Sequence, residues 1–119
     1  MRYILLVHHD EKILAELGEE KLNEMRRESV ALANQINSAG NYLDASPLHS
    51  ASTARCVRVR DGKRLITDGP FAETREQLGG YYFIEARDLD EAIGIAGRIP
   101  GARIGTVEIR PLLEIDGIT

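Results

Sequence analysis

The chain has 119 residues, of which 43% are hydrophobic and 29% are charged, with a net charge of −4. This length and balance predict one globular domain over residues 1–119 with a hydrophobic core of its own. A single cysteine excludes an internal disulfide, and no apolar run approaches the roughly 20 residues that a membrane span needs. The acidic balance also disfavours direct binding of nucleic acid. We therefore expect a cytoplasmic protein with no signal peptide and no membrane contact.

Hydrophobic periodicity predicts six strands and two helices. Short apolar or alternating runs indicate strands, and apolar residues at every third or fourth position indicate helices. Asp61-Gly62 supplies the positive φ angles of a two-residue hairpin turn, and Asp88 followed by Glu91 resembles a helix-capping box. In chain order we predict strand Tyr3–Val7, helix Glu19–Ala39, strand Tyr42–Ala45, hairpin strands Thr53–Arg60 and Lys63–Thr67, strand Gly79–Ala86, a helix that starts at Asp88 and ends before Pro100, and strand Arg103–Arg110.

The order of these elements indicates two βαβ-like halves. It predicts an α+β fold, a ferredoxin-like βαβ-βαβ sandwich with an extra β-hairpin. The first strand and the strand after Gly79 are apolar on both faces, whereas two helices cover only one face of a sheet. Either a second copy of the chain covers the other face, in a two-fold homodimer, or the stretch Leu112–Thr119 folds back over it.

The densest group of functional side chains is the segment Asp68–Glu76, which leaves a predicted strand and enters a loop. Pro70 presets a turn, and we expect the apolar side chain of Phe71 to plug into the body and fix the loop. We expect three carboxylates and two cations to converge there, namely Asp68, Glu73, Glu76, Arg75 and Arg64. Asp68 is a candidate proton acceptor, and the alternative is that its oxygens accept N–H groups of the following turn.

The same segment resembles the DGPF-type branch of the YCII-related family, and the similarity runs from the first strand to Pro111. The stretches that carry the resemblance are Val57–Lys63, Asp68–Glu76, Gly79-Gly80 and Val107–Pro111. The resemblance implies a ferredoxin-like fold that pairs as a dimeric α/β barrel. A recurrent His and Asp have suggested an enzymatic role for the wider family. At the corresponding positions this chain has Glu19–Asn23 and Ile99–Ala102, which contain neither residue in the expected place.

A pocket between the sheet and the helices, near the loop that starts at Asp68, is the predicted site. His8 and His9 end the first strand on opposite sides, so one of them at most faces a given cavity, and the alternative is that both simply meet solvent. No short-range metal-ligand spacing or cofactor fingerprint is present, so we expect no metal and no cofactor. The catalytic candidates are Asp68, His8 and Glu73, and the ligand-binding candidates are Tyr3, His9, Tyr81, Phe83 and Arg75.

Two functions of different classes fit these observations. The first is a small-molecule binding protein, or an enzyme of unspecified reaction, with its pocket near the Asp68-Gly69-Pro70-Phe71 loop. The second is a regulatory domain that binds an extracytoplasmic-function sigma factor, which the resemblance alone implies. The sequence does not decide whether the chain is an enzyme.

Overall fold

The structure is a computed structural model in which residues 1–118 are described. It is an α+β fold with three helices, one four-stranded sheet and one two-stranded sheet. Single 3-10 turns at Ala51–Thr53 and Pro100–Arg103 complete it. The elements in chain order are β1 (Arg2–His9), α1 (Glu11–Leu17), α2 (Glu19–Ser38), β2 (Tyr42–Pro47), β3 (Arg55–Arg60), β4 (Lys63–Asp68), β5 (Gln77–Glu85), α3 (Leu89–Ala96) and β6 (Thr106–Pro111).

The main sheet has the strand order β2-β5-β1-β6, and every neighbouring pair is antiparallel. This order, with helices between β1 and β2 and between β5 and β6, is compatible with the predicted ferredoxin-like arrangement. The register of β1 against β5 shifts between Val7 and His8, because β5 has one extra residue there, Gly79. All the predicted strands are present, with ends moved by a few residues. No helix within residues 1–118 is long and apolar enough to cross a membrane.

Helices α1 and α3 begin at aspartates whose side chains cap them, whereas α2 begins after Gly18 without a side-chain cap. Asp10 accepts a hydrogen bond from the backbone N–H of Lys12, and Asp88 accepts one from the N–H of Glu91, each at 2.9 Å. The predicted long helix is confirmed as α2. The predicted cap at Asp88 is confirmed at α3, but the Glu91 carboxylate accepts the N–H of Arg87 instead of closing a capping box with that of Asp88. The seven-residue helix α1 was absent from the sequence prediction, because two turns are too short to establish a hydrophobic period.

The core lies between the helices and one face of the main sheet. Alternate residues of β1 and β5 point into it, as their two-residue period requires. Full burial of one large apolar side chain contributes about 1.5–3 kcal/mol, so this layer carries most of the stability. The buried hydrophobic residues are Tyr3, Leu5, Val7, Leu32, Ile36, Tyr82, Ile84, Ala86, Ala92, Ile95, Ala96 and Ile99.

The other sheet face carries Ile4, Leu6, Tyr81 and Phe83, and it is called the open face below. Ile4 lies opposite Phe83 and Leu6 lies opposite Tyr81, and all four side chains are only partly buried. The prediction of strands that are apolar on both faces is therefore confirmed. Leu113 and Ile118 of the C-terminal segment are exposed, so the described part of that segment does not pack as a cover; Thr119 lies outside the described residues.

Strands β3 and β4 form a separate hairpin, residues 55–68, which is called the arm below. Asp61 and Gly62 have φ angles of 50° and 71°, which confirms the predicted turn. All side chains of the arm except that of Cys56 are exposed. The described chain measures 48 × 44 × 18 Å, and the arm is the part of it that adds least to the core.

Candidate functional site

A cleft of about 920 Å³ lies between α2 and the side of the main sheet formed by β2 and β5. Its walls combine apolar and polar side chains, and both the helices and the strand ends supply each kind. The polar groups include His9, His49, Arg26 and Ser29. Volumes of this size and mixed linings of this kind are typical of small-molecule sites. Its apolar wall comprises Val7, Leu14, Leu22, Met25, Val30, Ala33, Pro47, Leu48, Leu78 and Ile99.

His9 is the cleft residue that is best placed for acid–base chemistry. Burial lowers its pKa below the ordinary value of 6.5, and the nearby carboxylates of Glu11 and Glu76 oppose that effect. The imidazole packs against Gly79, where a Cβ would overlap the ring. A glycine is therefore required for the ring to lie there. At neutral pH the ring is uncharged and offers one nitrogen as a hydrogen-bond or proton acceptor.

The two carboxylates that act on His9 are both held by hydrogen bonds. Glu11 accepts the backbone N–H of Ala51 at 3.1 Å, and Glu76 accepts the hydroxyl of Thr106 at 2.8 Å. These bonds join the start of α1 to the turn after β2, and the loop before β5 to the edge strand β6. The electrostatic environment of His9 is thus set by residues from four separate segments.

On the side of the cleft that faces the core, Tyr82 of β5 contacts α2. The Tyr82 hydroxyl donates to the carbonyl oxygen of Ser29 at 3.3 Å. Burial raises the pKa of Tyr82, so this phenol stays protonated and keeps its donor role at physiological pH. Tyr82 therefore ties the helix to the sheet where the two walls of the cleft meet.

The segment Asp68–Glu76 lies outside this cleft. Asp68 is 86% exposed and forms an ion pair with Arg55 at 3.1 Å, rather than the expected bonds with the backbone of the turn. Phe71 is 83% exposed, so the prediction that it plugs into the body is wrong. The loop starts at the base of the arm, where Gly69 bonds to Ala54, and its Pro70 and Ala72 are partly buried. Glu73 and Arg75 are also exposed there.

The structure does not bring Asp68, Glu73 and Glu76 together. Asp68 pairs across the arm, whereas Glu76 bonds to β6. The loop is held instead by the side-chain amide of Gln77, which donates to the carbonyl oxygens of Ala72 and Thr74 at 3.2 and 2.9 Å. Within residues 1–118, no group of three or more His, Cys, Asp or Glu side chains could hold a metal ion.

Three of the other predicted site residues lie on the open face. His8 contacts Glu108 of β6, with Nε2 and Oε1 3.1 Å apart. Tyr81 borders the cleft, but its hydroxyl donates to Asp44 at 3.0 Å, and this bond raises its pKa. The Phe83 ring meets the Tyr81 ring edge to face at a centroid distance of 5.3 Å. His8 and His9 thus lie on opposite faces of the sheet, as their adjacent positions in the strand predicted.

Tyr3 is the remaining predicted ligand-binding residue, and it is buried in the core at 3% exposure. Of the predicted set, the structure brings His9 and Tyr81 to the cleft. Sequence reasoning missed Glu11, Arg26 and His49, which also line it. The one available signal was Asp10 as a helix cap, because a helix starting there places Glu11 beside the end of β1.

With the geometry described, the chain can be compared with known proteins. The family model of the YCII-related domain matches residues 1–116. The chain belongs to the YCII-related family. It is also 33% identical over 114 residues to the uncharacterized protein R00369 of Rhizobium meliloti (strain 1021). The matched region covers 94% of this chain and 92% of that protein. The YCII-related resemblance predicted from the sequence is therefore confirmed, and the assignment to its DGPF-type branch stays a prediction.

Proposed function

We propose that this YCII-related chain binds a small, largely apolar molecule in the cleft and uses neutral His9 as a hydrogen-bond or proton acceptor. The observation that carries the proposal is the half-buried imidazole in the wall of a 920 Å³ cleft. A buried acceptor beside apolar walls gives orientation to a ligand whose affinity comes mainly from apolar contact. Of the residues predicted from the sequence, the proposed site includes His9 but not Asp68, Glu73 or Arg75.

A ligand screen tests this proposal directly. The probes are small aromatic and aliphatic carboxylates, amides and alcohols, each at millimolar concentration, with thermal unfolding as the readout. A probe present at about 100 times its Kd adds about 2.7 kcal/mol to the free energy of unfolding, which corresponds to a rise in Tm of about 10 °C for 119 residues. The binders should also move the NMR signals of His9.

Two matched variants locate the site. Val30 is exposed and lines the cleft, so Val30→Trp should narrow the cleft and reduce the shifts. Ile93 is similarly exposed on α3 outside the cleft, so Ile93→Trp adds the same ring and should leave the shifts intact. The absence of a shift with every probe, or shifts of equal size in Val30→Trp and Ile93→Trp, would contradict the proposed site.

We propose, in addition, that two copies stack their open faces in a two-fold dimer, the α/β barrel implied by the family resemblance. A folded monomer of 13.2 kDa exposes about 6,400 Å², whereas this chain exposes 8448 Å². Its radius of gyration is 16.1 Å, against about 13.5 Å for a compact domain of this length. An excess of about 2,000 Å² is enough for an interface of standard size or larger.

Sedimentation equilibrium tests the dimer. We expect a mass of two chains at micromolar concentration. Replacing Leu6 and Phe83 together by lysine should give one chain, because two charges would enter the apolar stack. A one-chain mass for the unmodified protein would refute this part of the proposal. The sigma-factor alternative rests on the resemblance, and no contact described above favours it.

A further inference from the structure

The two faces of the arm differ in chemistry. Residues directly opposite in an antiparallel pair share a face, so Val57, Val59 and Ile66 lie on one side of the ribbon together with Arg64, and the Arg55–Asp68 pair lies at the base of that side. The exposures of Val57, Val59 and Ile66 are 59%, 63% and 59%. The opposite side carries three cations, one large apolar residue and two small side chains; its residues are Cys56, Arg58, Arg60, Lys63, Leu65 and Thr67. The arm therefore has an uncovered cluster of three apolar side chains on one side, which is called its apolar side below.

Contacts at the base of the arm join it to the rest of the chain. Gly69 donates its N–H to the carbonyl oxygen of Ala54 at 2.8 Å, and the Cys56 thiol lies 3.4 Å from the carbonyl oxygen of Gly69. The Arg55–Asp68 pair joins β3 to β4 within the arm, and among the described residues no side chain of either strand belongs to the buried core. A lone two-stranded hairpin is marginally stable in water, so its apolar side needs cover from another molecule.

The distribution of charge indicates what that molecule is. Residues 55–68 contain five of the 15 Lys and Arg residues and two of the 19 Asp and Glu residues. The arm therefore carries +3 and the remainder of the chain −7, which together give the net charge of −4. A nucleic acid or an anionic membrane would meet the repulsion of the body, whereas a second copy of the chain offers the opposite charge.

We propose that the arm clasps the body of a second copy, with its apolar side packed against that copy and its net positive charge attracted to the acidic body there. The inference rests on the proposed dimer and deepens it. The arm leaves the chain beside β2 and β5, where Leu48 donates to the carbonyl oxygen of Gly79 at 2.9 Å. This is an edge of the sheet whose open face the second copy covers, and a six-residue strand reaches about 20 Å beyond it.

The experiment measures the dimer dissociation constant of three variants by sedimentation equilibrium. In the first, two glycines replace residues 55–68, which the short distance between Ala54 and Gly69 permits. In the second, Val57, Val59 and Ile66 become threonine, which keeps the strand preference of the arm. In the third, Arg58 and Arg60 become glutamine. Leu113→Thr is the control for an exposed apolar residue elsewhere.

We expect the first two variants to weaken the dimer by about tenfold or more and the control to leave it unchanged. The glutamine variant should show a weaker dependence of dimerisation on salt, because it removes two of the arm's cations. An arm-less dimer as tight as the unmodified one would overturn the clasp and leave the stacked dimer standing. A monomeric unmodified protein would overturn both. Loss of binding to a fluorescent DNA duplex or anionic vesicles, with dimerisation unchanged, would assign the arm to another partner and reject the clasp.

Discussion

Replacing Gly79 by alanine tests whether this glycine holds the His9 imidazole in the cleft wall. A Cβ at this position would overlap three atoms of the ring, so either the ring or the strand must move. Overpacking of this kind costs about 1–3 kcal/mol. With an unfolding entropy of about 2.1 cal/mol/K per residue, the Tm of the 119-residue chain should fall by about 4–12 °C.

Gly94 provides a matched control for the same substitution. It lies within α3, and a Cβ there would meet nothing within 4 Å. Gly94→Ala should therefore raise stability by about 1 kcal/mol and the Tm by about 4 °C, since alanine is the better helix former. Opposite signs for the two variants would separate steric overlap from the general effect of removing a glycine.

The state of His9 gives the second readout, through its NMR titration in both variants. Burial is the main cause of the lowered pKa of His9, so displacement of the ring in Gly79→Ala should raise that pKa toward 6.5. The pKa in Gly94→Ala should match that of the unmodified protein. A Gly79→Ala protein with unchanged stability and an unchanged His9 titration would refute the claim that the glycine positions the ring.

Three other substitutions test the histidine, the core and a helix cap. Because the folded-state pKa of His9 lies below 6.5, the unfolded chain binds the proton more tightly, and the free energy of unfolding should fall as pH falls through 6.5 toward the folded-state value. His9→Gln should remove that part of the fall between about pH 7.5 and 5.5 in urea unfolding, and an unchanged pH dependence would count against it. Leu5→Ala should lower the free energy of unfolding by about 2.7–5 kcal/mol in the same assay, because Leu5 is fully buried. The control Leu113→Ala, at an exposed residue, should lower it by less than about 1 kcal/mol. An equally small loss in Leu5→Ala would mean that the core is misplaced. Asp88→Ala should cost about 1 kcal/mol by removing the 2.9 Å bond to Glu91, and no loss would show that the cap is dispensable.

Much of the fold could be predicted because its signals are local. Asp61-Gly62 determines a turn by the backbone angles that it allows, and alternation within β1 determines which residues enter the core. Helix α1 escaped prediction because seven residues contain too few apolar repeats. The prediction for the segment Asp68–Glu76 failed for a different reason. Hydropathy predicts that Phe71 is buried, but its burial depends on where the loop carries the ring, and the ring is 83% exposed.

The candidate site was predictable only in part. His9 could be proposed because a polar residue at the end of an apolar strand is visible in the sequence. The electrostatic environment of His9 could not be predicted, because Glu11 and Glu76 are held near it by hydrogen bonds to Ala51 and Thr106. Such contacts depend on how distant segments pack, and no local pattern encodes them.

The 18 Å thickness of the described chain has a consequence for its survival in a cell. A plate with one helix layer and one sheet layer keeps even its deepest atoms within about 9 Å of a broad surface. If two such subunits pack face to face, each stabilises the other against heat and proteases. The unfolding temperature should then climb as the protein is concentrated, and cellular abundance, as much as sequence, would set its lifetime.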